Sequence, residues 1–327
     1  MTDYKIALVN SSSFGKWFPE HIEALEKIGP VDSFRFDNDI DGKTLAEKLH
    51  GYNLIISSVT PFFTKEFFDN KDELLIISRH GIGYNNIDLE AAKEHGTLVT
   101  IVPPLVERDT VAENAVAQLL ALVRQTLPAA QAAKDNKWKD RAQFMGHELS
   151  GKNIGVIGCG NIGSRVAEIL KYGFNGNLYV CDPKVDSEWA EKHGAKVVEL
   201  DELLVNADII SLNASLDENS YHILNEEAFS KMKKGVYITN TARGALVDEE
   251  AVLDAIEKGI VLGLATDVME EEPADNSHPY FSNDKILVTP HISAYTYECI
   301  KGMGDKCVDD IEKVVNGEEP GGIVSPK

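Results

Sequence analysis

The chain has 327 residues, enough for two domains of roughly 150 residues with a core each. Hydrophobic residues at 43% and charged residues at 26% are a globular composition and exclude wholesale disorder. The 53 acidic side chains against 32 basic ones leave a formal charge of −21, which sets nucleic acid and anionic membrane aside as partners while allowing one small anion in a local basic pocket.

The amino terminus, MTDYKIALVN, has no basic n-region and no long apolar run, so no signal peptide is expected. The most apolar helical stretch, 111–123, contains Glu113, Asn114 and Gln118, which argues against a transmembrane span. Cys159, Cys181, Cys299 and Cys307 form no CxxC pair and read as buried small hydrophobes in a reducing cytoplasm. Nine histidines without HxxxH spacing predict no metal site.

In chain order, short β-branched runs alternate with helical stretches, which predicts an α/β protein with parallel sheets. Strands are expected at 5–9, 31–36, 54–59, 74–78 and 97–102. A helix with Pro19 at its start covers 19–28, and Asp88 caps another that runs to His95 and stops at Gly96. Pro103 and Pro104 then break the chain. A long amphipathic helix follows, with Ala115, Val116, Leu119, Leu120, Val123 and Leu127 at helical spacing. That stripe reads as a core stripe of its own domain.

After a polar stretch, 131–141, a second series places strands at 153–157, 178–181, 209–212, 236–240, 262–267 and 286–289. Six strands with crossover helices make a complete dinucleotide-binding sheet. The last helix, about 297–316, has no strand partner there and is expected to pack back on the first unit. The predicted organisation is therefore a discontinuous flavodoxin-like substrate domain, 1–103 plus 296–327, and a Rossmann domain, 104–295.

The cofactor signal is Gly158-Cys159-Gly160-Asn161-Ile162-Gly163, a GxGxxG between an apolar strand and a helix. Gly158 permits the tight turn, Gly160 admits a pyrophosphate, and Gly163 lets the helix pack on the strand. Asn161 and Ile162 open the helix whose unpaired N–H groups favour phosphate. Asp182, 19 positions after Gly163, suits both adenosine ribose hydroxyls and would repel a 2′-phosphate. NAD is thus expected over NADP, with Lys184 as a softening neighbour.

Three further segments each follow a strand of the second series: Asn240-Thr241-Ala242-Arg243-Gly244, the run 267–273 ending Glu270-Glu271-Glu272-Pro273, and 289–293 around His291. Together with Gly81-Ile82-Gly83 and the glycine fingerprint, they resemble the D-isomer-specific 2-hydroxyacid dehydrogenases over nearly the whole chain. The resemblance implies Arg243, Glu272 and His291 as the catalytic set, working in the cleft between two domains. It adds Asn213, Thr241, Ala242 and Asp267 on the cofactor side, although Asp267 equally reads as a cap for the turn after its strand. It also implies a homodimer.

The chemistry suits those residue types. Reducing a 2-oxo acid requires hydride at the carbonyl carbon and a proton at its oxygen, which a histidine supplies near neutrality. A carboxylate beside it favours the imidazolium, and an arginine fork takes the substrate carboxylate. Backbone N–H groups near Ile82 and Gly83 would hold that carboxylate too. His80 stands where relatives carry Ala; with Arg79 it could bind a second anionic group, or be a buried structural histidine. Tyr295, four residues past His291, reads as pocket lining or core packing. The expected function is NAD-dependent reduction of pyruvate, glyoxylate or hydroxypyruvate. The alternatives are a phosphoglycerate dehydrogenase-like enzyme and an NAD(H)-sensing corepressor-like binding protein.

Overall fold

The computed structural model describes residues 3–326. Its first elements are β1 (Ile6–Val9), α1 (Glu20–Glu26), β2 (Val31–Phe34), α2 (Gly42–Lys48), β3 (Leu54–Ser57), α3 (Lys65–Asn70), β4 (Ile76–Arg79), α4 (Leu89–His95) and β5 (Leu98–Thr100). The chain continues through α5 (Pro104–Val123), α6 (Thr126–Lys134), β6 (Asn153–Ile157), α7 (Asn161–Phe174), β7 (Asn177–Cys181), α8 (Ser187–His193), β8 (Lys196–Val197) and α9 (Leu200–Asn206). It ends with β9 (Ile209–Leu212), α10 (Glu226–Lys231), β10 (Val236–Asn240), α11 (Glu249–Glu257), β11 (Val261–Thr266), β12 (Ile286–Val288) and α12 (Tyr297–Val315). Two compact units result: Met1–Glu107 with Tyr295–Lys327, and Arg108–Ala294.

The first unit is a five-stranded parallel sheet in the order β2-β1-β3-β4-β5. Successive side chains of its strands alternate between two cores, as a sheet covered on both faces requires. Ala7, Val9, Ile55 and Ile77 face Leu45, Phe67, Phe68 and Ala91 of α2, α3 and α4. Ile6, Leu8, Leu54, Ile56 and Ile76 face Leu25 of α1 and Cys307 and Ile311 of α12. Helix α12 is also pinned by a fully buried carboxylate, Asp310, which accepts from Ser78 Oγ at 2.9 Å and Thr100 Oγ1 at 2.7 Å and pairs with Lys306. Such a charge is tolerable indoors only because it is paired and hydrogen-bonded. Asp88 caps α4 through the Ala91 N–H, and Gly96 ends it at φ +82°, a left-handed value that glycine adopts without penalty.

The second unit is a seven-stranded parallel sheet, β12-β11-β10-β9-β6-β7-β8. Its order reverses between β6 and β9, the topological switch point at which such sheets bind ligands outside their carboxyl ends. Helix α5 buries Ala112, Ala115, Val116, Leu119 and Val123 against Ile154, Val156, Val166 and Leu170. The apolar stripe is therefore core of its own unit; of its residues only Leu127, beyond the helix, is exposed.

Three differences from the sequence reading have local causes. The edge strand β8 was not foreseen, because its two residues are both exposed and give no apolar run. The polar stretch 131–141 is half helix: α6 runs to Lys134 and a 3-10 turn occupies Trp138–Gln143. The four cysteines are free, but only Cys299 and Cys307 are buried; Cys159 and Cys181 are half-buried.

Candidate active site

The turn after β6 is shaped by atoms it lacks. Gly158 has φ +83°, and a Cβ there would lie 2.5 Å from the Ala214 nitrogen. A Cβ on Gly163 would lie 2.0 Å from the Gly158 carbonyl oxygen, so α7 can approach β6 only without one. At Gly160 the outcome is opposite: a Cβ would meet nothing within 4 Å. Open space in front of that backbone is what a pyrophosphate needs. Helix α7 starts at Asn161 with Gly160 as an N-cap that makes no side-chain bond, leaving the N–H groups and positive dipole end of its first turn for an anion.

Asp182 follows β7 and is aligned by two backbone donors, Cys159 N–H to Oδ2 at 2.7 Å and Lys184 N–H to Oδ1 at 2.7 Å. Each carboxylate oxygen has a second lone-pair site for a ribose hydroxyl. Burial first, then the Asp182 and Glu168 charges, pushes the Cys159 thiol up to about 12, so it stays protonated and unreactive. Asn213, after β9, packs against Gly163; its amide donates to Ser211, while its Oδ1 is buried without a hydrogen-bond partner. An orphaned acceptor at the switch point suits a ligand donor. Thr241 and Ala242 follow β10, where the Ala242 N–H donates to Asn240 Oδ1 at 3.0 Å. This donor set fits a dinucleotide.

Arg243, Glu272 and His291, expected from the sequence to be catalytic, stand past the carboxyl ends of the adjacent strands β10, β11 and β12. His291 Nδ1 lies 2.6 Å from Glu272 Oε2, and Glu272 Oε1 accepts the Met269 N–H at 3.0 Å. The two side chains are about one-third exposed, at 35% and 30%, so the pair is open to a ligand. Arg243 opens the turn after β10, its carbonyl accepting from Asn240 Nδ2 at 2.8 Å and its Nη1 donating to the Ala242 carbonyl at 2.7 Å. Gly244 lets that turn touch the Glu272 loop, since a Cβ would stand 2.0 Å from the Met269 carbonyl carbon. The loops carrying the arginine and the acid are thus in backbone contact.

Asp267 makes the contacts of a cap for the turn after its strand. It is 1% exposed and accepts from Thr289 Oγ1, from the Ile292 N–H at 2.9 Å and from the Ser293 N–H at 2.7 Å. Its carbonyl takes the His291 N–H at 2.9 Å, and His291 itself sits at φ +53°. Asp267 therefore moulds the loop that presents the imidazole. Sequence reasoning missed the supports behind it, Gln118 on Thr289 Oγ1 at 2.6 Å and Asn114 on Ser293 Oγ at 2.7 Å. Polar residues at two positions of an apolar helical stripe were the available signal.

His80, Gly81, Ile82, Gly83 and Tyr295 belong to the other unit. His80 is 8% exposed, edge-on to Phe14, and burial, aided by the Arg79 and His21 charges, lowers it to about 3. A neutral buried histidine does not attract an anionic group by charge, and Arg79 is buried beside it. The Ile82 N–H donates to Glu107 Oε1 at 3.0 Å. Tyr295 is 48% exposed, which excludes core packing, and its hydroxyl lies 2.7 Å from Ser12 Oγ.

Residues 116–293, more than half of the chain, match the family described as D-isomer specific 2-hydroxyacid dehydrogenase, NAD binding domain. A D-3-phosphoglycerate dehydrogenase of Methanocaldococcus jannaschii is 34% identical across 94% of this chain, which spans only 58% of that relative's length. A glyoxylate reductase of Thermococcus litoralis is 32% identical over 94% of both chains. The solved D-lactate dehydrogenase from Aquifex aeolicus, complexed with NAD and lactic acid, superposes with a TM-score of 0.85 at 28% identity, covering 98% of this chain and 99% of that one. With its glycine turn and its Arg, Glu and His at the ends of three neighbouring strands, the chain belongs to the D-isomer-specific 2-hydroxyacid dehydrogenase family.

Proposed function

We propose that the protein is an NAD-dependent D-2-hydroxyacid dehydrogenase that reduces a small 2-oxo acid: glyoxylate, pyruvate or hydroxypyruvate. The observation that carries this reading is the His291–Glu272 pair at 2.6 Å, on a loop in contact with the Arg243 turn. With Nδ1 engaged by the carboxylate, Nε2 is the ring atom left to give its proton to the substrate carbonyl oxygen. Glu272 stabilises the imidazolium before transfer, and Arg243 offers two parallel donors to the substrate carboxylate. The Ile82 N–H already binds a carboxylate oxygen, that of Glu107, which supports its capacity for a substrate's.

NADH, when bound, supplies the hydride. Gly158, Gly160, Asn161, Ile162, Gly163, Asp182, Asn213, Thr241 and Ala242 would hold it, and the Asp182 charge disfavours NADPH. The names of relatives make 3-phosphoglycerate the second substrate class. Burial of Arg79 and of the neutral His80, next to Gly81-Ile82-Gly83 in sequence, supports an uncharged substituent instead. The intact acid–imidazole pair favours catalysis over a purely NAD(H)-sensing role.

The test is NADH oxidation with those three acids and 3-phosphohydroxypyruvate, in wild type and His291→Ala. The expected result is turnover of an unphosphorylated acid that falls roughly 10²–10⁴-fold in the variant. NADH binding without turnover of any acid would defeat the proposal. We further propose a cytoplasmic homodimer. Four free thiols support a reducing compartment, and the exposed Leu127, Trp138 and Met145 support a buried partner face, which sedimentation would detect.

A further inference from the structure

The loop that presents Glu272 is gripped from its far side by side chains the reaction does not use. Glu270 Oε1 accepts from the Tyr221 hydroxyl at 3.0 Å, and its Oε2 lies 3.0 Å from His222 Nε2. The Glu270 N–H donates to Glu249 Oε1 at 3.2 Å, and the other oxygen of Glu249 lies 2.9 Å from His278 Nε2. Asp248, the N-cap of α11, approaches His222 Nδ1 at 3.9 Å. Behind them Tyr280 is buried with an unpartnered hydroxyl; burial, then the charges of Glu249, Asp248 and Glu270, raises it so that it stays a neutral phenol.

His222 has a conformation that needs explaining. Its φ is +47°, in the left-handed region that costs an L-residue about 1 kcal/mol and that glycine adopts freely. The chain holds a histidine there, stacked on Tyr221 at 4.0 Å between centroids, with its N–H fixed on the Ala245 carbonyl at 2.8 Å. The result is a ring aimed at Glu270, two residues before Glu272.

Three consecutive carboxylates, Glu270 to Glu272, repel one another, and an unsupported loop would splay. We propose that His222 and Glu270, with His278 and Glu249 beside them, are positioning residues: they brace residues 269–272 so that Glu272 stays seated on His291. Each pair alone is a surface contact of small worth, but both act on the residue next to Met269, whose N–H holds Glu272. Pairing Glu270 with an imidazole also relieves its repulsion of Glu272. This inference rests on the reading that the Glu272–His291 pair moves the proton.

His222→Gly separates positioning from folding, because glycine accepts the left-handed backbone while removing the ring. The readouts are the downfield NMR resonance of the His291 Nδ1 proton in ligand-free protein, a signature of its hydrogen bond to Glu272, and the split of kcat from KM for glyoxylate with NADH. Glu272→Gln sets the scale by removing the carboxylate, moving that resonance upfield and lowering kcat while KM changes less. His222→Gly and Glu270→Ala should shift both readouts the same way by about a third of that, with thermal stability within about 2 °C of wild type for His222→Gly. His222→Gln, which keeps a donor of similar reach, should restore both readouts. A wild-type resonance and kcat in both His222→Gly and Glu270→Ala would overturn the brace. No shift in Glu272→Gln would overturn the proton-transfer reading itself, and the brace with it.

Discussion

The glycine turn after β6 and the acid–imidazole corner beyond β10, β11 and β12 occupy the same carboxyl edge of one sheet, and opposite means hold them. In the turn, shape comes from missing atoms: Gly158 and Gly163 stand where a Cβ would strike backbone at 2.5 Å or less. In the corner, shape comes from polar atoms added: Asp267, Glu272, Asn240 and Thr289 tie loops together with side-chain hydrogen bonds. The turn is therefore vulnerable to volume and the corner to loss of charge or of a hydrogen-bond partner. A dinucleotide recognised largely through backbone needs only a rigid void. Proton transfer needs a ring oriented and charged.

The largest effect that would sharpen this contrast is Gly163→Ala. Its methyl group meets the Gly158 carbonyl oxygen at 2.0 Å, a backbone atom that cannot swing away. We expect a loss of about 3 kcal/mol or more, roughly 10 °C in Tm. Gly160→Ala, three residues earlier, should leave Tm within about 2 °C while weakening NADH binding on the order of tenfold, read by nucleotide fluorescence. Wild-type NADH affinity in Gly160→Ala would mean that the open space is not the cofactor's.

Asp267→Asn probes the corner at a smaller scale. The amide would turn an N–H₂ toward a donor, losing a charge-assisted hydrogen bond to the Ser293 N–H or to the Ile292 N–H and Thr289 hydroxyl. The expected cost is about 2 kcal/mol. Because the same loop holds His291 at φ +53°, kcat should fall while the NADH dissociation constant stays within about twofold, the scatter of context-dependent contacts. A large rise in that constant with Tm unchanged would instead make Asp267 a direct cofactor contact and break the comparison.

What could be read from the sequence follows the same division. The glycine turn is contiguous, flanked by an apolar strand and a helix, so hydrophobic runs and glycine spacing locate it. Arg243, Glu272 and His291 were findable because each lies a few residues past a strand, in a segment that resembles the family's motifs. The strands β1, β3 and β4 and the cap of α4 likewise follow from short apolar runs and a single Asp. Illegible were features made by residues distant in the chain. The burial of His80 depends on Phe14 and His21 arriving from another loop and helix. The buried anchor of α12 depends on Asp310 finding Ser78 and Thr100. The brace joins residues 221, 222, 249, 270 and 278, with no local pattern to announce it.

The smallest expected effect tests where the contrast blurs, because the turn depends on the Asp182 side chain. Its carboxylate fixes the Cys159 N–H and, on the proposed reading, sets the charge beside the adenosine ribose. Asp182→Asn retains an oxygen for that N–H while losing the charge and the bond from the exposed Lys184 N–H, whereas Asp182→Ala removes all three. If charge decides between cofactors, Asp182→Asn should narrow the preference for NADH over NADPH by about tenfold, about 1.4 kcal/mol, with Tm almost unchanged. Added salt should narrow the wild-type preference in the same direction, because exposed charges are screened within about 10 Å at 0.1 M. If only Asp182→Ala alters the ratio, the acid acts through the shape of the turn. Volume would then govern the whole dinucleotide side of the sheet, leaving charge to the corner alone.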